Sequence, residues 1–103
     1  MGFVEILIAD DHPLFRRAIR SLIESDGAYR VCGEARDGID AVDKVRQLRP
    51  DVVLMDINMP RMDGLQATEI IRREIPVCNV IIVTQNERQS PENKLVSLTR
   101  EAS

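Results

Sequence analysis

The segment Asp51-Val-Val-Leu-Met-Asp56 predicts a buried β-strand that ends on a carboxylate. It leads into Ile57-Asn-Met-Pro-Arg-Met-Asp-Gly64, a loop rich in the turn residues Asn, Pro, Asp and Gly. An earlier apolar segment, from Val4 to Ala9, is followed by a second acidic cluster, Asp10-Asp11. Two strand ends that carry carboxylates indicate a divalent-cation site with a reactive aspartate.

Predicted strands and helices alternate along the chain. Apolar runs predict strands at residues 3–9, 29–35, 52–56 and 80–84. Between them, apolar residues recur at spacings of 3 and 4, which predicts helices that begin near Pro13, Ile39 and Leu65. Helical connections between strands are typical of an α/β fold whose parallel strands are joined by right-handed crossovers.

In a parallel sheet of this kind, ligands bind beyond the carboxyl ends of the strands. Asp10, Asp11, Asp56 and Thr84 all lie at predicted strand ends, so we expect them to meet at one edge of the sheet. Two carboxylates about 4 Å apart repel each other by about 4 kcal/mol at an effective dielectric of about 20. The cluster must therefore protonate or bind a cation, and Mg²⁺ fits because it prefers hard oxygen ligands. Taken singly, Asp11 or Asp63 would indicate only a helix cap or a turn.

Bulk composition narrows the class of protein. A chain of 103 residues suits one domain, and its net charge of −3 gives no basic signal for nucleic acid. Cys32 and Cys78 lack metal-ligand spacing, which favours reduced thiols over a disulfide or a metal site. No apolar run is long enough for a membrane helix and no signal peptide is evident, so we expect a cytoplasmic location.

Two long motifs resemble the response-regulator receiver domain of two-component signalling. They are Ile8-Ala-Asp-Asp-His-Pro-Leu-Phe-Arg16 and Leu54-Met-Asp-Ile-Asn-Met-Pro-Arg-Met-Asp-Gly64, and Val80-Ile-Ile-Val-Thr84 is similar to a third family strand. The first motif looks like the subfamily that is fused to helix-turn-helix DNA-binding domains. The resemblance covers residues 3–84. It implies one receiver domain over 1–103, with 85–103 as a divergent loop plus a short helix.

The resemblance also implies a fold and a set of site residues. The fold is a flavodoxin-like, doubly wound parallel sheet with strand order 2-1-3-4. Asp56 matches the phospho-acceptor, and Thr84 matches the hydroxyl residue that hydrogen-bonds the phosphoryl group. Asp11 matches a direct Mg²⁺ ligand, Asp10 an acid that holds the metal through water, and Asn58 the residue that lends its backbone carbonyl to the metal. The phosphodonor is a histidine kinase.

His12, Pro60, Gly64 and Gln85 have lesser expected roles. His12 is interpreted as an exposed helix-start residue rather than a catalyst. Pro60 and Gly64 are expected to shape the loop after Asp56. Gln85 stands where the family usually has a small residue, which could crowd access to Asp56.

The C-terminal region departs from the family pattern. Family members carry a lysine at the end of a fifth strand, whereas Lys94 comes too early and lies in a short helix predicted to begin at Ser90. We therefore expect a C-terminally truncated receiver that lacks the fifth strand and its helix. The fourth strand would then have an open apolar edge, which predicts a homo-oligomer formed through that edge. Phosphorylation without the lysine is expected to be slow or uncoupled from output.

These features are compatible with three functions to different degrees. The leading one is a Mg²⁺-dependent phospho-acceptor module that is not an enzyme beyond its own phosphorylation and dephosphorylation. Transcription control would then need a separate DNA-binding domain, since this chain shows no sign of direct nucleic-acid binding. The alternative is a degenerate receiver that acts as a phosphorylation-independent dimerisation or interaction module. An aspartate-nucleophile phosphatase is disfavoured, because Asn58 stands where that chemistry needs a second acid.

Overall fold

The structure is a computed structural model that describes residues 2–85 and 96–100. The described elements alternate between strands and helices until the last strand. In chain order they are β1 Val4–Ala9, α1 Pro13–Glu24, β2 Tyr29–Ala35, α2 Gly38–Leu48, β3 Val52–Asp56, α3 Gly64–Glu74, β4 Asn79–Gln85 and β5 Val96–Arg100. All described strands belong to one sheet, whose order is β2-β1-β3-β4-β5.

Strands β1 to β4 form the parallel sheet that the sequence predicts, and the predicted order 2-1-3-4 is confirmed. The register places Ala9, the last residue of β1, opposite both Ala35 and Met55. Asp56, the last residue of β3, lies opposite Val83 of β4. The carboxyl ends of the strands therefore lie at one edge of the sheet.

The prediction that a fifth strand is missing was wrong. β5 pairs with β4 in the antiparallel direction, from Ile81 opposite Arg100 to Gln85 opposite Val96. The backbone groups of β4 thus find hydrogen-bonding partners within the chain, and the predicted open edge of the fourth strand is covered along residues 81–85. Oligomerisation through that edge loses its structural basis.

The predicted C-terminal helix is also contradicted where it can be compared. Val96 and Leu98, which would form the apolar stripe of a helix that begins at Ser90, lie in β5. The run Val-Ser-Leu-Thr alternates apolar and polar residues, a period that suits a strand. The start of the predicted helix at Ser90, and Lys94 within it, lie outside the described residues.

The main core lies between the sheet and the two helices α2 and α3. Leu7, Val53 and Met55 are fully buried at the centre of the sheet, and they belong to the same cluster as Val45 of α2 and Ile71 of α3. Both cysteines are free thiols, as expected, with Cys78 buried and Cys32 partly buried. None of the described helices is long and apolar enough to cross a membrane.

Helix α1 covers the other face of the sheet much less closely. None of its residues is buried, although the sequence predicts an inward apolar face that includes Leu14 and Leu22. Those two side chains are 74% and 69% exposed. Only the part of the helix near Ile19 and Ile23 packs against the smaller cluster of Ile6, Ile8 and Val31. The apolar stripe on α1 is therefore wider than the surface that the described residues bury against it.

Replacing one buried and one exposed leucine tests this asymmetry. Leu7→Ala should lower the free energy of unfolding by about 2–5 kcal/mol, because it leaves a cavity at a fully buried position. Leu14→Ala should change it by less than about 0.5 kcal/mol, because that side chain already lies in solvent. Urea unfolding followed by circular dichroism measures both, and equal losses would contradict the exposed position of Leu14.

Candidate functional site

The parallel register brings the predicted acidic residues together. Asp10 and Asp11 follow β1 directly, and Asp56 is the last residue of β3, the neighbouring strand. One ligand atom from each of Asp10, Asp11, His12 and Asp56 lies within 4.8 Å of all the others. Asp10 and Asp56 are each only 2% exposed. The convergence of carboxylates that the sequence predicts at this edge is therefore present.

His12 takes part in the cluster more closely than the sequence suggests. It precedes Pro13 at the start of α1 and its side chain is 54% exposed, as expected for a helix-start residue. Its backbone N–H donates to Asp10 Oδ1 at 2.8 Å. Its ring Nδ1 lies 3.1 Å from Asp10 Oδ1 and 3.0 Å from Asp11 Oδ1. The position of the histidine directly after two aspartates was the available signal for these contacts.

Asp56 presents a buried oxygen atom that has no partner among the described residues. Its Oδ1 accepts a hydrogen bond from the backbone N–H of Asn58 at 3.3 Å. Its Oδ2 is buried and has no hydrogen-bond partner in the described part of the chain. A buried carboxylate oxygen without a partner is costly, and it needs a cation, a proton or a donor. Hard oxygens from several carboxylates at this spacing fit Mg²⁺ by the chemistry of the donor set.

The environment of Asp56 favours its protonated form. Burial, followed by the negative charges of Asp10 and Asp11, raises the pKa of Asp56 from 3.8 to about 6, and the Asn58 hydrogen bond and His12 offset only part of this rise. Because each cause that raises the pKa acts by destabilising a negative charge, a bound cation would reverse the balance.

The backbones of Asn58 and Thr84 lie at the same edge of the sheet as Asp56. Asn58 lies two residues after Asp56, in the loop that leaves β3. Thr84 directly follows Val83, the residue that pairs with Asp56, and lies near the carboxyl end of β4. The side chains of Thr84 and Gln85 lie outside the described part of the structure, so their predicted roles stay predictions.

The loop between β3 and α3 is closed by a tight backbone approach. The N–H of Gly64 donates to the carbonyl of Ile57 at 2.8 Å. A Cβ atom at position 64 would lie 2.0 Å from the carbonyl oxygen of Asp56, so only glycine fits there. Asp63 caps α3 by accepting from the N–H of Gln66, in a capping box. Gly64 thus shapes the loop as expected.

Two arginines that the sequence did not single out support this edge of the sheet. Arg16 Nη1 donates to the carbonyl of Asp10 at 2.6 Å, while its Nε donates to Glu34 at 2.9 Å. Arg61 pairs with the buried carboxylate of Asp37 through its Nε at 2.9 Å. Neither the Arg16–Glu34 pair nor the Arg61–Asp37 pair could be predicted from spacing, because the partners are 18 and 24 residues apart.

Comparison with known proteins identifies one family. Residues 6–100 match the response regulator receiver domain, which extends beyond the residues 3–84 that carry the sequence resemblance. Among curated relatives, a protein-glutamate methylesterase/protein-glutamine glutaminase of Myxococcus xanthus is 48% identical over 85 residues, or 82% of this chain. The nitrate/nitrite response regulator NarP of Escherichia coli is 41% identical over 86 residues, or 84% of this chain. The chain spans only 24% and 40% of the length of these two proteins.

Solved structures agree with this match. The response regulator domain of Thermotoga maritima CheB is similar with a TM-score of 0.78 and 35% identity, over 81% of this chain and 61% of that one. The receiver domain of the response regulator NarL from Mycobacterium tuberculosis is similar with a TM-score of 0.79 and 33% identity, over 89% and 73%.

The raised pKa of Asp56 predicts a pH-dependent stability. Because the folded protein keeps the Asp56 proton up to about pH 6 and the unfolded chain loses it near 3.8, the wild type loses stability as the pH rises through this window. In metal-free protein at about pH 8, Asp56→Asn should therefore raise the free energy of unfolding by about 3 kcal/mol. The gain should vanish below about pH 4, where the wild-type carboxyl is also neutral.

Urea unfolding across this pH range measures the effect. Asp43→Asn is the matched control, since Asp43 is an exposed aspartate on α2 and its replacement should change the stability by less than about 0.5 kcal/mol. Equal stability of the Asp56→Asn variant and the wild type at high pH would show that the ionised Asp56 does not destabilise the fold.

Proposed function

The chain belongs to the response regulator receiver domain family of two-component systems, and from that premise we propose that it accepts a phosphoryl group on Asp56 with Mg²⁺ bound beside it. The observation that supports this proposal most directly is the unpartnered Oδ2 of Asp56. A buried carboxylate oxygen with no hydrogen bond retains the lone pair that a nucleophile needs. The second oxygen is oriented by the N–H of Asn58.

The acidic neighbours of Asp56 would hold the metal. Asp10, Asp11 and Asp56 supply carboxylate oxygens, and Asn58 would add its backbone carbonyl. A bound Mg²⁺ would supply positive charge that offsets the repulsion between these acids and an incoming phosphoryl group. Asp56 must be ionised when it attacks, and Asp10 and Asp11 oppose that ionisation until their charge is neutralised.

The proposed reaction is a transfer from a histidine kinase. The carboxylate of Asp56 attacks phosphorus, a phosphorus–oxygen bond forms, and the phosphorus–nitrogen bond to the donor histidine breaks. The imidazole nitrogen of the donor then takes up a proton. Thr84, next to the residue that pairs with Asp56, is proposed to hydrogen-bond the phosphoryl group through its hydroxyl.

The activity of the whole protein is a further proposal, because the chain spans a minor part of its curated relatives. Some relatives are named methylesterases and others are named response regulators. We propose that this chain has a regulatory role and is not an enzyme beyond its own phosphorylation and dephosphorylation. It acts in the cytoplasm, and any output domain, including one that binds DNA, is separate.

A phosphorylation-independent interaction module is the competing function. Its motives were the missing fifth strand, which would leave the edge of the fourth strand open, and the missing family lysine. Pairing of β5 with β4 removes the first motive over residues 81–85, while Lys94 lies outside the described residues. The acceptor function therefore has the stronger support.

Chemical phosphorylation tests the proposed function. Incubation with acetyl phosphate and Mg²⁺ should add one phosphoryl group to the wild type, since small phosphodonors need no kinase surface. Intact-mass measurement should show the adduct, and peptide mapping should place it on Asp56. Asp56→Asn should show no adduct, and removal of Mg²⁺ by a chelator should slow the wild-type reaction by at least about tenfold.

Two controls sharpen the result. Asp43→Asn, at an exposed aspartate away from the cluster, should label as the wild type does. Thr84→Ala should still accept the phosphoryl group at Asp56, but at a lower rate. Labelling of Asp56→Asn at the wild-type level, or labelling that is indifferent to Mg²⁺, would refute the proposed function.

A further inference from the structure

The loop that follows Asp56 is attached at its far side to the start of α2. This loop, residues 57–63, includes Asn58 and would supply the backbone oxygen of the metal site. Near its end, the carbonyl of Met62 accepts a hydrogen bond from the N–H of Gly38 at 2.9 Å. A Cβ atom at position 38 would lie 2.3 Å from that same oxygen, so the two backbones are in direct contact.

Next to this contact lies a buried ion pair. The side chain of Asp37 is only 4% exposed, whereas that of Arg61 is 57% exposed. Arg61 donates to Asp37 Oδ2 from Nε at 2.9 Å and from Nη2 at 2.5 Å. Asp37 Oδ1 meanwhile accepts from the N–H of Asp40 at 2.8 Å and so caps α2. The two oxygens of one carboxylate therefore serve two different elements.

The Asp37 carboxylate is stable as an anion in this setting. Burial raises its pKa, but the N–H of Asp40 and the guanidinium of Arg61 outweigh burial and hold the pKa of Asp37 below its ordinary value. An ionised and buried carboxylate needs its partners, because an unpaired charge at such a site is strongly unfavourable. Arg61 is thereby drawn to a defined position.

The backbone of Arg61 has an unusual conformation, so the ion pair with Asp37 also affects the shape of the loop. Its φ is 67°, in the left-handed region that non-glycine residues rarely adopt. A conformation of this kind is unfavourable and persists only when the surroundings hold it. The ion pair with Asp37 is the contact that holds the side chain of this residue.

From these contacts we propose that Asp37 and Arg61 form a positioning pair, which fixes the 57–63 loop so that its backbone is ready to complete the metal site beside Asp56. This inference rests on the proposed function, because it assigns the pair a role at the same site. Neither residue touches the phosphoryl group or the metal; both act through the loop.

The alternative is that the pair only stabilises the fold by capping α2. The two roles differ in what they change. A cap that acts on stability alone would lower the melting temperature without changing Mg²⁺ affinity. A positioning pair changes Mg²⁺ affinity and loosens the Gly38–Met62 contact even in metal-free protein.

Three substitutions separate these roles. Asp37→Asn keeps a good N-cap side chain but removes the charge. Arg61→Asn removes the cation, and Asn tolerates the left-handed backbone. Arg61→Lys keeps a cation and should restore part of the function. Arg46→Gln is the matched control, since Arg46 lies on α2 and forms a bidentate but exposed ion pair, with Glu74 of α3, at 2.8 and 2.9 Å.

Mg²⁺ affinity measured by calorimetry is the first readout. Asp37→Asn and Arg61→Asn should each weaken Mg²⁺ binding about tenfold, the lower end of the effect of residues that support metal ligands. The double variant should be no weaker than either single one, because both changes break the same contact. Arg61→Lys should weaken binding less than Arg61→Asn does, because lysine keeps the charge but loses the two-donor contact. Arg46→Gln should stay within about twofold of the wild type.

Amide hydrogen exchange at Gly38 in metal-free protein is the second readout. Its N–H donates to Met62, so it reports the attachment of the loop directly. We expect exchange at Gly38 to rise about tenfold in both Asp37→Asn and Arg61→Asn, and to stay unchanged in Arg46→Gln.

Each outcome decides the inference. Mg²⁺ affinity within about twofold of the wild type in both variants, unchanged exchange at Gly38, or losses that multiply in the double variant would each overturn it. If the wild type itself neither binds Mg²⁺ nor accepts a phosphoryl group, the proposed function fails. Exchange at Gly38, which needs no metal, then decides alone whether the pair positions the loop.

Discussion

The in-register pairing of β1 with β3 is the constraint on which the site depends. Ala9 lies opposite Met55, so the next residue on each strand, Asp10 and Asp56, must come close to the other. Both strands are mostly apolar with core on both faces, and a shift of register by one residue would move every side chain from one core layer to the other. Hydrophobic packing therefore enforces an approach of like charges that electrostatics alone would oppose.

The close approach of these carboxylates explains why the site lowers the stability of the folded protein. A carboxylate whose pKa is raised to about 6, with one oxygen lacking a partner, reduces the stability of the fold near neutral pH. The large core between the sheet and the helices α2 and α3 offsets this loss. Strain at a functional site that is balanced elsewhere is the expected pattern for a site that must bind a cation and then react.

The parts of the fold that could be predicted are those that short-range patterns specify. The apolar run before Asp56 and the turn residues after it were sufficient to place β3, its loop and the acidic cluster. β5 was missed because Val96 and Leu98 suit a short strand as well as a helix, and its assignment depends on the unpaired edge of β4. The exposure of Leu14 was missed because helical periodicity shows which face is apolar but not how much of that face is covered.

The contact between Asp37 and Arg61 could not be predicted from short-range sequence patterns. Asp37 was visible only as part of a turn, and Arg61 only as one residue of a loop, because nothing in the spacing of 24 residues links them. Yet the sheet by itself positions only the carboxylates that end its strands, whereas a metal with several oxygen ligands also needs the backbone of the loop. If the loop kept the Gly64–Ile57 hydrogen bond but lost the Gly38–Met62 hydrogen bond, the position of its backbone would not be fixed. The precision of the site therefore depends on a contact between the start of α2 and the loop that leads into α3, two segments that the sequence pattern does not link.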